Sequence, residues 1–244
     1  MFVGFGTLIN LLGIAGGSLL GVLFGNRIPE KTRSLITDAL GCVTILAAAD
    51  ALREIWSPSF IASLPKGWTL LTVLASLLVG ASIGSVLDIE AKLEKFGLFL
   101  RKRFAGTHNS RFIEGFMAAS LLFAIGPLAI LGSISDGMGN GDQQLILKST
   151  LDAITSVAFA ATFGWGVLAS IVPIGIYQLL WTFSGWGLGN IMSPYQVSAM
   201  TATGGILLIG IALRILGIKQ MAVGNLLPAI LFAPLIATCA HHFL

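Results

Sequence analysis

Residues 2–25 read FVGFGTLINLLGIAGGSLLGVLFG, with no acid, base or proline from end to end. A membrane-spanning helix needs about 20 apolar residues, and this run supplies them. It lacks a basic n-region and is too long and too regularly set with glycine for a cleaved signal, so it is expected to remain as a span.

The rest of the chain repeats that character. Of its 244 residues 55% are hydrophobic and 10% charged, against roughly 25% charged in a soluble domain. Eleven acids and fourteen bases cannot coat such a globule, so most of its outside must face lipid. Apolar runs predict eight helices, over 2–24, 34–52, 68–87, 112–133, 145–165, 167–184, 195–214 and 221–241, within a range of 7–9. The expected fold is all-α, a polytopic transmembrane bundle forming a single membrane domain over 1–244. The fifth and sixth spans are so close that one long bent helix is an alternative there.

Eight spans place Arg27, Lys31, Arg33, Lys92, Lys95, Arg101, Lys102, Arg103, Arg111, Arg214 and Lys219 on one side, and Arg53, Lys66 and Lys148 on the other. Cytoplasmic loops carry the basic excess, so both termini are expected outside the cytoplasm. The bases lie in short loops rather than in one basic segment, which argues against a nucleic-acid partner. Between residues 89 and 110, Ile89, Leu93, Phe96, Leu100 and Phe104 recur at helical spacing opposite Glu94, Lys95, Arg101 and Lys102. That pattern predicts a cytoplasmic amphipathic helix lying in the headgroup plane with its apolar face in the acyl boundary.

Gly13, Gly17, Gly21 and Gly25 recur every four residues, and Ser76, Gly80 and Gly84 repeat the spacing. Such flat faces let backbones approach, within one chain or across a homodimer; the alternative is a smooth wall along a permeation path. The segments Gly16–Leu23 and Gly80–Leu87 align, and Asp38-Ala39 with Val43 aligns more weakly with Asp152-Ala153 and Val157, which runs the opposite way. Opposed copies suggest an inverted repeat.

Several residues carry chemistry. Pro127, after Gly126 and before Gly132, should kink or break the fourth span, because proline removes an intrahelical hydrogen bond. Broken backbone at membrane depth can meet an ion or substrate. Gly204-Gly205, with Thr201 and Thr203 on the approach, and Pro228, with Asn225 before it, mark second candidates for interrupted helices. In the fifth span Lys148, Asp152 and Ser156 share one face, with Ser149 beside them. An unpaired acid so far inside costs about 2.5–3.5 kcal/mol, so Asp152 should face the bundle interior and pair with a cation or hold a proton. Lys148, one turn away, is its local partner, although base before acid is the poorer order. Asp136 and Asp142, on the outer loop, could form an acidic entrance, and Asn10 is a buried amide that needs partners.

Cys42 and Cys239 lie in apolar runs and imply neither a disulfide framework nor a metal cluster. Signatures of hydrolases, nucleotide-binding loops and zinc peptidases are absent, and the histidines, at 108, 241 and 242, fall at or beyond the bilayer edges. An enzyme is therefore not expected, nor a cofactor.

The run Gly126–Gly137, then Lys148-Ser149, Leu151-Asp152-Ala153, Gly204-Gly205-Ile206-Leu207 and Asn225-Leu-Leu-Pro228, resembles the bacterial YqgA/YdfK family of uncharacterised inner-membrane proteins. The resemblance covers nearly the whole chain, from Gly-Thr-Leu-Ile-Asn at 6–10 onward, and departs in having Asp152-Ala153 where Asp-Gly is more usual. It implies an inner-membrane location, and it carries the suggestion of a sodium channel or pump. The function expected is a small secondary transporter or channel for an ion, Na+ or H+ coupled, or for a small polar solute. The alternative is a membrane scaffold or sensor whose buried polar residues only specify packing.

Overall fold

A computed structural model describes residues 2–25, 28–104, 111–125, 127–139, 141–188 and 192–243. These form helices and their connections, with no strand among the described residues. Seven helical stretches are long and apolar enough to cross a bilayer, and a bent pair makes up to eight.

In chain order, α1 covers Phe5–Gly25 and α2 Glu30–Leu52; a 3₁₀ turn, Arg53–Trp56, leads to the short α3, Pro58–Ser63. Helix α4, Trp68–Leu87, ends on Asp88 and is followed by α5, Ile89–Phe104. Then come α6, Phe112–Ala124, and α7, Pro127–Gly137. Helix α8, Gln143–Phe163, precedes α9, Trp165–Ala169, and α10, Ile171–Leu188. Last are α11, Pro194–Ile215, a 3₁₀ turn at Val223–Leu226, and α12, Pro228–Phe243.

The fourth span breaks as its proline requires. Ile125 is extended, α7 starts at Pro127, and its axis is turned by 61° from that of α6. Proline suits the first position of a new helix, where its missing N–H matters least. Gly126 itself lies outside the described residues. The fifth and sixth spans are separate helices, because Gly164 adopts φ 73° and ψ −147°, a conformation open essentially to glycine alone. The Gly204-Gly205 expectation is corrected: α11 runs through both residues unbroken. A Cβ at Gly205 would lie only 3.0–3.1 Å from Leu52 and Ala48, so the glycine serves close packing rather than a break. At Asn225 a 3₁₀ turn does precede α12.

The chain packs as two compact units, one of Met1–Leu40 with Leu93–Ile191, the other of Gly41–Lys92 with Met192–Leu244. In the first, α1 lies along α8 through its glycine face: Gly13, Gly17, Gly21 and Gly25 all meet the stretch between Ser149 and Ala161. Arg33 donates to the Gly25 carbonyl at 2.9 Å and so caps the end of α1. Helices α7 and α10 pack through Gly137 and Gly185 in the same small-residue manner, and α6 lies against α9. On the apolar side of α5, Leu93, Phe96 and Leu100 pack on Phe112, Phe116 and Met117 of α6.

In the second unit the flat face of α4 meets α12 and the turn before it, Gly80 at Ala229 and Gly84 at Asn225. Both glycine faces are thus packed within the chain, one of the two arrangements that their spacing allowed. Ser193 and Gln196 form a capping box at the start of α11, with Pro194 at the first helical position. Glu90 bonds the Arg214 guanidinium and accepts from the Gly224 N–H at 2.6 Å, while its own N–H donates to Asn225 Oδ1 at 2.8 Å.

Candidate functional site

Helix α8 is polar on the wrong side for a soluble protein. Leu147, Leu151 and Ile154 are 52–67% exposed, whereas Lys148 and Asp152 are only 6% and 7% exposed. In water that pattern would be unstable; in a bilayer it is expected, with leucines toward lipid and ionic groups inward. At ~1.5 Å per residue Asp152 lies some 14 Å along a helix about 32 Å long, close to its middle.

Lys148 Nζ and Asp152 Oδ2 are 2.5 Å apart, a direct ion pair within one helix. The Lys148 ammonium also lies 5.9 Å from the centre of the Phe123 ring on α6. Asn10 on α1 sits beside the same carboxylate. Its Nδ2 donates to Gln178 Oε1 on α10 at 3.2 Å, so the predicted helix bridge is formed. Neither amide is exposed at all, and each keeps one atom unmatched among the described residues: Asn10 Oδ1 and Gln178 Nε2.

The polar contacts continue toward the start of α8. Thr7, one turn before Asn10, shares a hydrogen bond of 3.1 Å with Thr182, one turn beyond Gln178. The Thr7 N–H donates to Asp136 Oδ2 at 3.3 Å, near the end of α7. Asp136 in turn lines a cleft of about 210 Å³ together with Phe2, Val3, Gly139, Gly141 and Asp142. Asp142 Oδ2 is buried there without a partner among the described residues. Four helices, α1, α7, α8 and α10, therefore enclose one polar column that leads from two carboxylates at a cleft to an ion pair at mid-helix.

Of the residues singled out in sequence, Asp136, Lys148, Ser149, Asp152 and Ser156 belong to this unit. Ser149 donates to the Ile9 carbonyl at 2.9 Å across the α1–α8 contact, whereas Ser156 donates to the Ala153 carbonyl at 2.9 Å within α8, its hydroxyl facing Gly17. Gly204, Gly205, Thr203 and Asn225 belong to the other unit. There Thr203 donates to the Ala199 carbonyl at 2.8 Å within its own helix, and Asn225 holds the Glu90 backbone. Thr7, Gln178, Thr182 and Phe123 were missed. The polar members of that set carried a signal all the same: Thr7 and Asn10, and Gln178 and Thr182, stand one turn apart in otherwise apolar helices. Among the described residues no three His, Cys, Asp or Glu side chains converge as metal ligands would.

A shell of outward leucine and isoleucine around a buried polar column defines a polytopic membrane protein, not a soluble helical bundle. The chain belongs to the family described as "Protein of unknown function (DUF554)", whose model matches residues 5–238. It is 28% identical over 239 residues to the "Uncharacterized membrane protein YdfK" of Bacillus subtilis (strain 168), covering 98% of each chain. To the "Uncharacterized protein YqgA" of Escherichia coli (strain K12) it is 32% identical over 233 residues, covering 93% of this chain and 94% of the other. No solved structure matches it.

Proposed function

We propose that this protein is a small secondary transporter or channel of a bacterial inner membrane. It moves an ion, Na+ or H+ coupled, or a small polar solute through the α1–α7–α8–α10 column. The observation that carries the reading is the pair of fully buried amides, Asn10 and Gln178, each with one polar atom unmatched among the described residues, with Asn10 beside a mid-helix carboxylate. A column built only for packing would be expected to match those atoms, since each one left bare costs about 1–3 kcal/mol. The absence of a nucleotide-binding signature in the sequence leaves an ion gradient, or a partner, as the driving force. The basic excess in alternate loops supports an orientation with both termini outside the cytoplasm. No catalytic role, cofactor or nucleic-acid partner belongs to this reading; its partners are the bilayer and the transported species, and it does not require a homodimer.

The test is flux into liposomes carrying the purified chain. Wild type is expected to move a cation or small solute in a pH-dependent way, and Asp152→Asn to abolish that flux while remaining folded. Flux that survives Asp152→Asn would remove Asp152 from the role. One observation favours a second reading, a membrane scaffold or sensor: the carboxylate already touches Lys148 within the protein. In that case Asp152→Asn lowers thermal stability or alters oligomeric state and there is no flux to lose.

A further inference from the structure

We infer that the groove between α4 and α12 binds one acyl chain of an anionic glycerophospholipid, whose phosphate is held at Lys66. The site lies wholly within the second unit and does not rest on the transport reading.

The groove follows from how the two helices pack. At one end they touch backbone to backbone: a Cβ at Gly80 would lie 2.3 Å from the Ala229 amide nitrogen, and one at Gly84 would collide with the Asn225 carbonyl. Toward the start of α4 side chains replace the glycines, and a groove of about 290 Å³ opens between the helices. Trp68, Leu71, Thr72, Ala75 and Leu78 of α4 and Ile236 of α12 line it. Thr72 is only 2% exposed, whereas Leu71 and Leu78 stand out at 49% and 60%, so short side chains lie between tall ones.

Length, lining and mouth select the occupant. Trp68 and Leu78 are separated by about 15 Å of helix rise, half of a hydrocarbon core roughly 30 Å thick. Both helices belong to stretches long and apolar enough to cross the bilayer, so the groove runs from headgroup level to the midplane, the reach of one acyl chain. The Thr72 hydroxyl oxygen is covered by protein atoms, and the wall offered to a ligand is therefore hydrocarbon, which gains from apolar burial and dispersion contact. At the mouth stands Trp68, the first residue of α4, of the type that sits among headgroups. Lys66, two residues earlier, is exposed and has no acid within ion-pair distance among the described residues. Its ammonium attracts a lipid phosphate, and most strongly one whose headgroup carries no cation of its own.

The experiment uses the full chain, stripped of lipid in detergent, with phosphatidylglycerol and phosphatidylcholine of identical acyl chains as probes. Thermal melts and native mass spectra are recorded as each lipid is added. Wild type is expected to melt higher with either lipid, in a saturable way, and higher with phosphatidylglycerol than with phosphatidylcholine. Lys66→Gln is expected to melt like wild type without lipid and to respond to both lipids as wild type does to phosphatidylcholine. Ala75→Trp fills the groove and is expected to lose the shift with both lipids, together with one bound lipid in the mass spectrum. Should it fail to fold, Ala75→Leu fills part of the groove and is expected to lose part of the shift. Equal shifts with the two lipids in wild type overturn the inference, as does a phosphatidylglycerol preference that survives Lys66→Gln. So does a full lipid shift in a folded Ala75→Trp. A lipid-independent dimer that Ala75→Trp converts to monomer would assign the groove to a second copy of the chain instead.

Discussion

Asn10 and Gln178 share a hydrogen bond of 3.2 Å across α1 and α10, with neither side chain exposed and one polar atom of each unmatched among the described residues. Turning both amides over keeps their mutual bond and exchanges which ends are unmatched, so the pair can present either an acceptor or a donor. Gln178→Leu alone strands the Asn10 amide, and Asn10→Leu alone strands Gln178. Each is expected to lower stability by about 1–3 kcal/mol. The double leucine variant replaces both partners together and is expected to recover most of that loss. Thermal melts in detergent check the stabilities, and liposome flux separates the roles. A double variant that melts like wild type but carries no flux places the amides in the path; one with full flux takes them out of it.

The ion pair on α8 invites the same separation. Asp152→Asn leaves the Lys148 ammonium buried without its counter-ion, at a cost of roughly 3–5 kcal/mol. Combining it with Lys148→Met removes the orphaned charge, and the double variant is expected to regain wild-type stability or exceed it. Flux should not return, because no carboxylate is left to receive a cation. Return of flux in the double variant would show that the pair is a packing device.

These two pairs also mark the limit of what the sequence discloses. Lys148 and Asp152 are four residues apart on one helix, so helical geometry alone predicts their meeting. Pro127 acts on its own neighbours, and the break it imposes between α6 and α7 was equally legible. Asn10 and Gln178 are separated by 168 positions, and Glu90 and Arg214 by 124. A single sequence marks each such residue as needing a partner but not which partner. Gly204 and Gly205 misled for a related reason. Each glycine costs a helix interior about 1 kcal/mol, which suggests a break, but the close approach of Ala48 and Leu52 to Gly205 outweighs that local preference.

Glu90 belongs to the second unit. It joins the start of α5 to Arg214 at the end of α11 and to the turn before α12, with both side chains about 15% exposed. Glu90→Ala is expected to destabilise by about 2–3 kcal/mol, less than for a fully buried pair because water reaches part of the site. A double-mutant cycle with Arg214→Ala should return a coupling energy between the two residues. Flux is expected to persist at temperatures where the variant is folded, since nothing in the Glu90 contacts touches Lys148 or Asp152.

Gly16 and Gly17 are adjacent in sequence and opposite in consequence. A Cβ at Gly16 would meet nothing within 4 Å, whereas one at Gly17 would collide with the Ala153 carbonyl and the Ser156 hydroxyl across the α1–α8 contact. Gly16→Ala is therefore expected to be neutral or to stabilise by up to about 1 kcal/mol through helix propensity alone. Gly17→Ala must push α1 away from α8 and is expected to cost about 1–3 kcal/mol. The separation would also stretch the Ser149 bond to the Ile9 carbonyl and move Asn10 relative to Asp152, so flux should fall with stability in this variant alone. Melting temperatures that are equal for the two variants would mean that the glycine face does not bear on α8. It would then be available as the wall of a permeation path, the role its spacing in the sequence left open.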